Sequence, residues 1–155
     1  MGDQRSYESG RNDYGEYLYK TVSPKVTING VTGKMVEKKA IHNDRHNTLP
    51  AYAQTSEVYF AKGPDGFACQ CKVYNKEKKM VIDFDWDHDH NNKDGSPIFK
   101  KGTIHVQTYT ITRRFSEKDH KWHDHFIRSK ARKMTQAEIE KYGPIIKHFN
   151  PNVKF

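Results

Sequence analysis

The sequence predicts an α+β fold in which about four antiparallel strands form a meander and a basic helical segment lies near the C-terminus. Three observations carry this. Residues 67–74, 80–86 and 103–114 alternate apolar and polar side chains with period two, as strands with one buried face do. Gly63-Pro64-Asp65-Gly66 and Asn75-Lys76-Glu77-Lys78-Lys79 supply turns between successive strands. Thr135-Gln136-Ala137-Glu138 is a capping box, in which the Thr hydroxyl accepts from the Glu138 amide and the Glu side chain reaches back.

In chain order, residues 1–22 are rich in Gly, Ser, Asp, Arg and Tyr and poor in aliphatics. They read as a flexible polar lead-in to a single domain over 23–155. Lys25-Val26-Thr27-Ile28 reads as a short strand. Asn29-Gly30 is a type I′ turn signal, with Val31–Val36 as the returning partner. Residues 41–56 read as irregular. Glu57–Ala61 is a strand by its β-branched and aromatic content. Phe67, Cys69, Cys71 and Val73 then share one face of a strand, and Ile82, Phe84 and Trp86 share one face of the next. A loop over 87–101 leads to the long strand 103–114. The basic stretch 119–133 reads as helical, with Trp122 and Phe126 docked on the sheet. A short helix from the capping box should end at Gly143-Pro144, leaving 145–155 as an extended tail.

The chain has 155 residues, 34% hydrophobic and 30% charged, which suits one core rather than two. No stretch approaches the roughly 20 apolar residues that span a bilayer. The first residues lack the apolar run of a secretory signal. No membrane partner and no signal-directed export of its own are therefore expected. Lys and Arg number 27 against 19 Asp and Glu, a net charge of +8. Such a surface favours polyanions, because each neutralised phosphate releases counterions. The absence of a basic amphipathic helix with a broad apolar face puts nucleic acid, RNA first, ahead of a membrane surface.

Cys69 and Cys71 point to the same face of their strand, about 6.6 Å apart along it, which disfavours a mutual disulfide. C-x-C without a second pair is not a zinc finger. The two read as small buried hydrophobes.

Chemistry is sought on the face opposite the apolar one. Gln70, Lys72, Asp83, Asp85, His105, Gln107, Tyr109 and Arg113 should share it, with Ile82, Phe84, Ile104 and Val106 buried on the other side. A His exchanges protons near neutral pH, Arg and Lys hold phosphate, and Tyr stacks on a base or donates a hydrogen bond. An ordinary solvated sheet face would look the same. His105 in the apolar core would overturn the site.

Asp83-Phe84-Asp85-Trp86-Asp87-His88-Asp89-His90, with His105 downstream, is a second constellation. His88, His90 and His105 with one carboxylate suit zinc or another transition ion. D-x-D-x-D opens like a calcium loop but lacks the Gly at position six and the Glu at position twelve. Metal-free acid/base chemistry by one His is the preferred reading, with no metal and no cofactor. The third cluster, His120-Lys121-Trp122-His123-Asp124-His125 with Arg128, Lys130, Arg132 and Lys133, suits phosphate tracking and base stacking. The Walker, dinucleotide, zincin, serine-hydrolase and deaminase motifs are all absent.

Leu49-Pro50, Val58-Tyr59, Gly66 through Gln70 to Tyr74, Asp83-Phe84-Asp85-Trp86-Asp87-His88, Gly102 and His105-Val106-Gln107 occur in an order that resembles the C-terminal toxin domains of bacterial polymorphic toxins and related phage-borne domains. The resemblance covers roughly residues 48–110 and is most specific at D-x-D-[aromatic]-x-H followed by a strand with a further His. Many such domains look like metal-independent ribonucleases of the barnase/colicin type, a helix followed by a curved antiparallel sheet. By that resemblance His88, His105 and Arg113 or Arg114 supply acid/base chemistry and hold phosphate. It also implies a cognate immunity protein and action in the cytoplasm after delivery by a secretion system. The chain departs from the pattern at Gln107, where many such domains end the motif H-x-H, and no helix is evident in residues 1–56.

The expected function is thus a toxin-like ribonuclease. His105 and His88 would act as general acid and base on a ribose 2′-hydroxyl and its phosphodiester. Lys72, Arg113 and Arg114 would bind phosphate, Asp85 would orient a His, and Tyr109 and Gln107 would touch the substrate. The alternatives are a non-enzymatic basic nucleic-acid-binding module using the same face, and a metal-dependent nuclease using the Asp/His cluster.

Overall fold

A computed structural model describes residues 10–11, 14–39, 49–55, 58–91, 93 and 99–155. Among the described residues, eight strands precede one helix: β1 (Tyr19–Thr21), β2 (Val26–Ile28), β3 (Val31–Lys38), β4 (Val58–Lys62), β5 (Ala68–Tyr74), β6 (Met80–Asp85), β7 (His105–Ser116), β8 (Lys121–Arg128) and α1 (Gln136–Phe149). They form one mixed sheet in the order β1-β3-β4-β5-β6-β7-β8, with β2 also on β3. β1 and β2 lie end to end along one edge of β3, and β4 pairs with the other edge in parallel.

This corrects the expected four-stranded antiparallel meander with a basic helical segment. The meander exists as β4–β7, but four further strands extend it and β3–β4 runs parallel. A parallel pair needs a long crossover, and period-two alternation carries no information about which distant strand becomes the neighbour. The basic segment is strand β8, not helix. Trp122 and Phe126, four apart, fit a helical face, but each sits opposite an apolar residue of β7, Phe115 and Ile111. The turn between them is closed by Asp119 Oδ1, which accepts from the Lys121 amide at 3.1 Å. Within the segment read as a lead-in, Tyr19–Thr21 pairs with β3 and Tyr19 is buried. Residues 1–9 and 12–13 lie outside the described residues.

The Asn29-Gly30 turn has φ of 54° and 78°, the left-handed pair a type I′ hairpin requires. The capping box forms as read, but α1 passes through Gly143-Pro144 and runs to Phe149. Pro144 has no N–H for the Glu140 carbonyl. Asn29 Nδ2 donates to that carbonyl instead, at 2.7 Å. Beyond the proline, Ile145, Ile146 and Phe149 are buried on the sheet. Each stabilises the helix by about 1.5–3 kcal/mol relative to exposure, enough to carry it past the break. Phe149 stacks on Phe60 with centroids 4.3 Å apart, and Tyr142 packs on Phe84 at 5.3 Å. Gly33 makes this approach possible, since a Cβ there would lie 3.1 Å from Ile145 Cδ1 and 3.0 Å from the Val58 carbonyl.

The opposite face has a second, smaller core in which Tyr59, Tyr74 and Met80 meet Leu49, Ala51 and Ala53. The chain after α1 returns to the sheet, where Lys154 exchanges backbone hydrogen bonds with Gly102 and Ile104 at 2.8 Å. Among the described residues no helix is long and apolar enough to cross a membrane.

Candidate functional site

The register aligns two cross-strand rows on the face away from α1: Ala61, Gln70, Asp85 and His105, and beside them Tyr59, Lys72, Asp83 and Gln107. The second row is a closed network. Asp83 accepts from Gln70 Nε2 at 2.9 Å and from the Tyr109 hydroxyl at 3.2 Å. Lys72 donates to the Leu49 carbonyl at 3.3 Å and lies 5.7 Å from the Tyr109 ring centroid. Gln107 Nε2 donates to the Ser129 carbonyl at 3.2 Å. Lys72, Asp83 and Gln107 are buried, and burial together with the Asp83 charge raises the Tyr109 phenol. The side chains expected to hold substrate here are internal struts under residues 49–55.

The first row leads to a different arrangement. β6 ends at Asp85, whose Oδ1 accepts from the Asp87 amide at 3.1 Å and so turns the chain back over the sheet. Trp86 Nε1 anchors the turn on the Ala68 carbonyl at 3.1 Å. His90 and Phe99 exchange both backbone hydrogen bonds at 2.8 Å, and Asp89 Oδ1 accepts from the Lys101 amide at 2.7 Å. These staples lay His88 and His90 against His105, which opens β7. Ring centroids are 5.5 Å apart for His88–His105, 4.7 Å for His90–His105 and 6.2 Å for His88–His90. One donor nitrogen of each lies within 4.8 Å of the others.

His105 is 1% exposed, with Phe99 on it at 5.6 Å, and neither ring nitrogen has a hydrogen-bond partner. Two unsatisfied nitrogens on one buried ring are costly, and such a group calls for an explanation. Burial, then the neighbouring His90 and His88, push its pKa down to about 4, so the ring is a neutral donor at pH 7. His90 is half-buried and the His88 side chain is 54% exposed, so the cluster opens toward solvent on the His88 side. Asp85 stands behind His88, Oδ1 to Nδ1 3.7 Å, with a carboxyl that burial raises.

The residues present fit a transition ion. Two imidazoles on one tetrahedral zinc put their nitrogens about 3.3 Å apart, so small side-chain rotations close this cluster on a metal. Neutral imidazoles suit zinc, copper, nickel or iron over calcium or magnesium.

The structure therefore brings His88, His105 and Asp85 together and adds His90. It does not bring Arg113. Eight residues along β7 place it about 26 Å from His105. Arg113 Nη1 instead donates to Asp124 Oδ1 at 3.1 Å and Nη2 to the Trp122 carbonyl at 3.3 Å. Arg114 projects from the other face of the strand, paired in register with His123. Asp124, which the sequence places in the third cluster without a role of its own, also takes the Tyr52 hydroxyl at 2.8 Å and Lys79 Nζ at 3.0 Å. Burial alone would raise that carboxyl. The hydrogen bonds outweigh it and hold the group below the ordinary range. Phe99, which covers His105, follows a loop that gives no periodic signal.

No known protein family, curated protein or solved structure matches this chain, so the likeness to toxin domains rests on the motif residues alone.

Proposed function

We propose that the chain is a metal-dependent nuclease whose centre is held by His88, His90 and His105. The observation that carries this is the convergence of His88 and His90 on a buried His105 whose ring nitrogens have no hydrogen-bond partner. A structural zinc site takes four protein ligands and is closed, whereas a catalytic one takes three and keeps a position for water or substrate. Three nitrogens with an exposed side at His88 match the second pattern. A metal there would acidify a bound water and draw charge from a phosphoryl oxygen. Asp85, whose Oδ1 lies 3.7 Å from His88 Nδ1, would orient that ring once the contact closes to a hydrogen bond, as carboxylates commonly do for ligating His. The net charge of +8 makes a nucleic acid the first substrate class to test.

The burial of His105 argues against the acid/base role read for it from sequence, because a phosphodiester does not reach a ring that is 1% exposed. One metal-free reading remains, in which exposed His88 backed by Asp85 acts alone.

The experiment is RNA and DNA degradation by protein stripped of metal, then supplied singly with Zn²⁺, Mn²⁺, Ni²⁺ or Mg²⁺, with metal content measured in parallel. One transition ion per chain and cleavage abolished by EDTA are expected. Cleavage that persists in EDTA moves the chemistry to His88. Binding of nucleic acid without cleavage under every metal reduces the protein to a binding module.

A further inference from the structure

We infer that the outer half of the β7–β8 hairpin is an arm that grips single-stranded nucleic acid, stacking bases on Phe115 and Trp122 and tracking phosphates with the cations around them. β6 pairs with β7 only over His105–Thr108, and β8 pairs with it only from Tyr109 to Ser116. The outer part is thus a two-stranded ribbon running off the end of the sheet. At its root Phe126 packs on Tyr52 and Tyr109. Beyond Asp124, the ribbon's side chains are largely exposed.

A bare two-stranded ribbon is marginal in water, and exposed aromatics on one are an unspent contact surface. Trp122 is 59% exposed and Phe115 39%, with rings 5.5 Å apart, and His120 lies 6.2 Å from Phe115. Exposed Lys118 lies in the turn beyond these rings, and exposed Arg114 and Lys121, each next in sequence to one of them, line the ribbon's other face, so phosphates would meet them round the ribbon's edge. Residues 105–133 hold eight Lys and Arg against three Asp and Glu, a net +5 out of the chain's +8. Aromatic faces between cations are how single strands are held without regard to sequence: each base offers a π-face, and each phosphate a charge. A duplex hides its base faces, so the fit is to unpaired strands. Phe115 and Trp122 lie on the same face of β7 as His105, by the even spacing along the strand and the register. Between the arm and the imidazole cluster that face is covered, by Tyr52 on Phe126 and by Leu49 over Lys72, so the arm is a binding surface separate from the cluster.

This rests on nucleic acid being the substrate, but its test does not require cleavage. The full chain is titrated with fluorescein-labelled oligo(dT) and oligo(U) in EDTA, at two salt concentrations. Trp86 is buried and Trp122 exposed, and these are the chain's two tryptophans, so quenching of the emission reports the arm. Quenching on titration is expected, with Trp122→Ala weakening binding about tenfold or more. Trp122→Phe should keep most of the affinity, which separates stacking from misfolding. Arg114→Ala with Lys121→Ala should lower the salt slope by roughly 1–2. Metal content should stay unchanged in all of them. Equal affinity for Trp122→Ala and the parent overturns the arm, even where cleavage proceeds. So does quenching that requires duplex DNA, anionic vesicles or self-association of the chain. An arm that binds oligonucleotides while no metal supports cleavage leaves this inference standing and removes the nuclease.

Discussion

β7 changes character halfway along. Its first four residues, His105–Thr108, are enclosed on both edges: β6 pairs with one, and on the other Val106 exchanges backbone hydrogen bonds with Arg132 at 2.7 and 2.9 Å. Its last eight carry one partner strand, and from Thr112 to Phe115 they face water. The inner half holds an unsatisfied imidazole where a polar group is most expensive. The outer half holds exposed aromatics where apolar surface is least rewarded. Each departs from what stability alone would select, in opposite senses, and such departures are where function is sought.

The largest effect should come from His105. His105→Ala should remove stoichiometric metal binding, with a loss of ~10²-fold or more in affinity, since even partners behind the ligands are worth 10–100-fold. Calorimetric titration of the stripped protein measures it. His105→Leu sharpens the point. It replaces two unsatisfied nitrogens with an apolar side chain of similar volume, so the metal-free protein should gain about 1–2 kcal/mol while its thermal shift on adding metal disappears. A metal-free loss of stability in His105→Leu would show that the ring has partners after all.

pH tests the inner half next. The folded His105 holds its proton only near pH 4, against about 6.5 in the unfolded chain. Between those values the unfolded state binds more protons, so the stability of metal-free protein should fall as pH drops from 6.5 to 4, by at most about 1.4 kcal/mol per pH unit. Asp85, raised by burial, pulls the opposite way at the acid end of that window. The difference between parent and His105→Leu in urea titrations at pH 7, 5.5 and 4.5 isolates the His105 part. Metal affinity should fall over the same range as the imidazoles protonate.

Much of this was legible in particular residues. Alternation put Asp83, Asp85, His105, Gln107 and Tyr109 on one face with Phe84 and Val106 opposite, and the register places them so. His88, His90 and His105 were visible as a metal set. What alternation could not show is depth. A polar strand face reads as solvated until another segment covers it, and the covers, residues 49–55 over Lys72 and the His90–Phe99 bridge over His105, come from non-periodic chain. Arg113 was placed in the site because it shares a face with His105, although eight residues of strand separate them. Sharing a face is not sharing a site.

Asp124 is the joint between the halves. It ties Arg113 of the arm to Lys79 and Tyr52 of the body. Asp124→Ala should cost about 1–3 kcal/mol, because it strands partly buried donors. Hydrogen exchange should then show 109–128 opening ahead of β5 and β6, with metal loading intact. Uniform loss of protection would mean that the arm and the body unfold as one unit.

The smallest expected effect lies away from both halves. Pro144 leaves the Glu140 carbonyl without a helical donor, and Asn29 Nδ2 fills the gap. Asn29→Gly keeps the left-handed turn, which glycine adopts more readily still, and removes that hydrogen bond, so it should cost at most about 0.5–1 kcal/mol. Asn29→Ala should cost roughly 1 kcal/mol more, because a Cβ is strained at a φ of 54°. Pro144→Ala returns the missing N–H, and in that background Asn29→Gly should cost less. The double-mutant coupling should be about 0.5–1 kcal/mol, read from urea unfolding. Zero coupling would mean that water serves the Glu140 carbonyl as well as Asn29 does. None of these variants should alter metal content or oligonucleotide affinity, because the β2–β3 turn and α1 touch neither half of β7 through the residues changed.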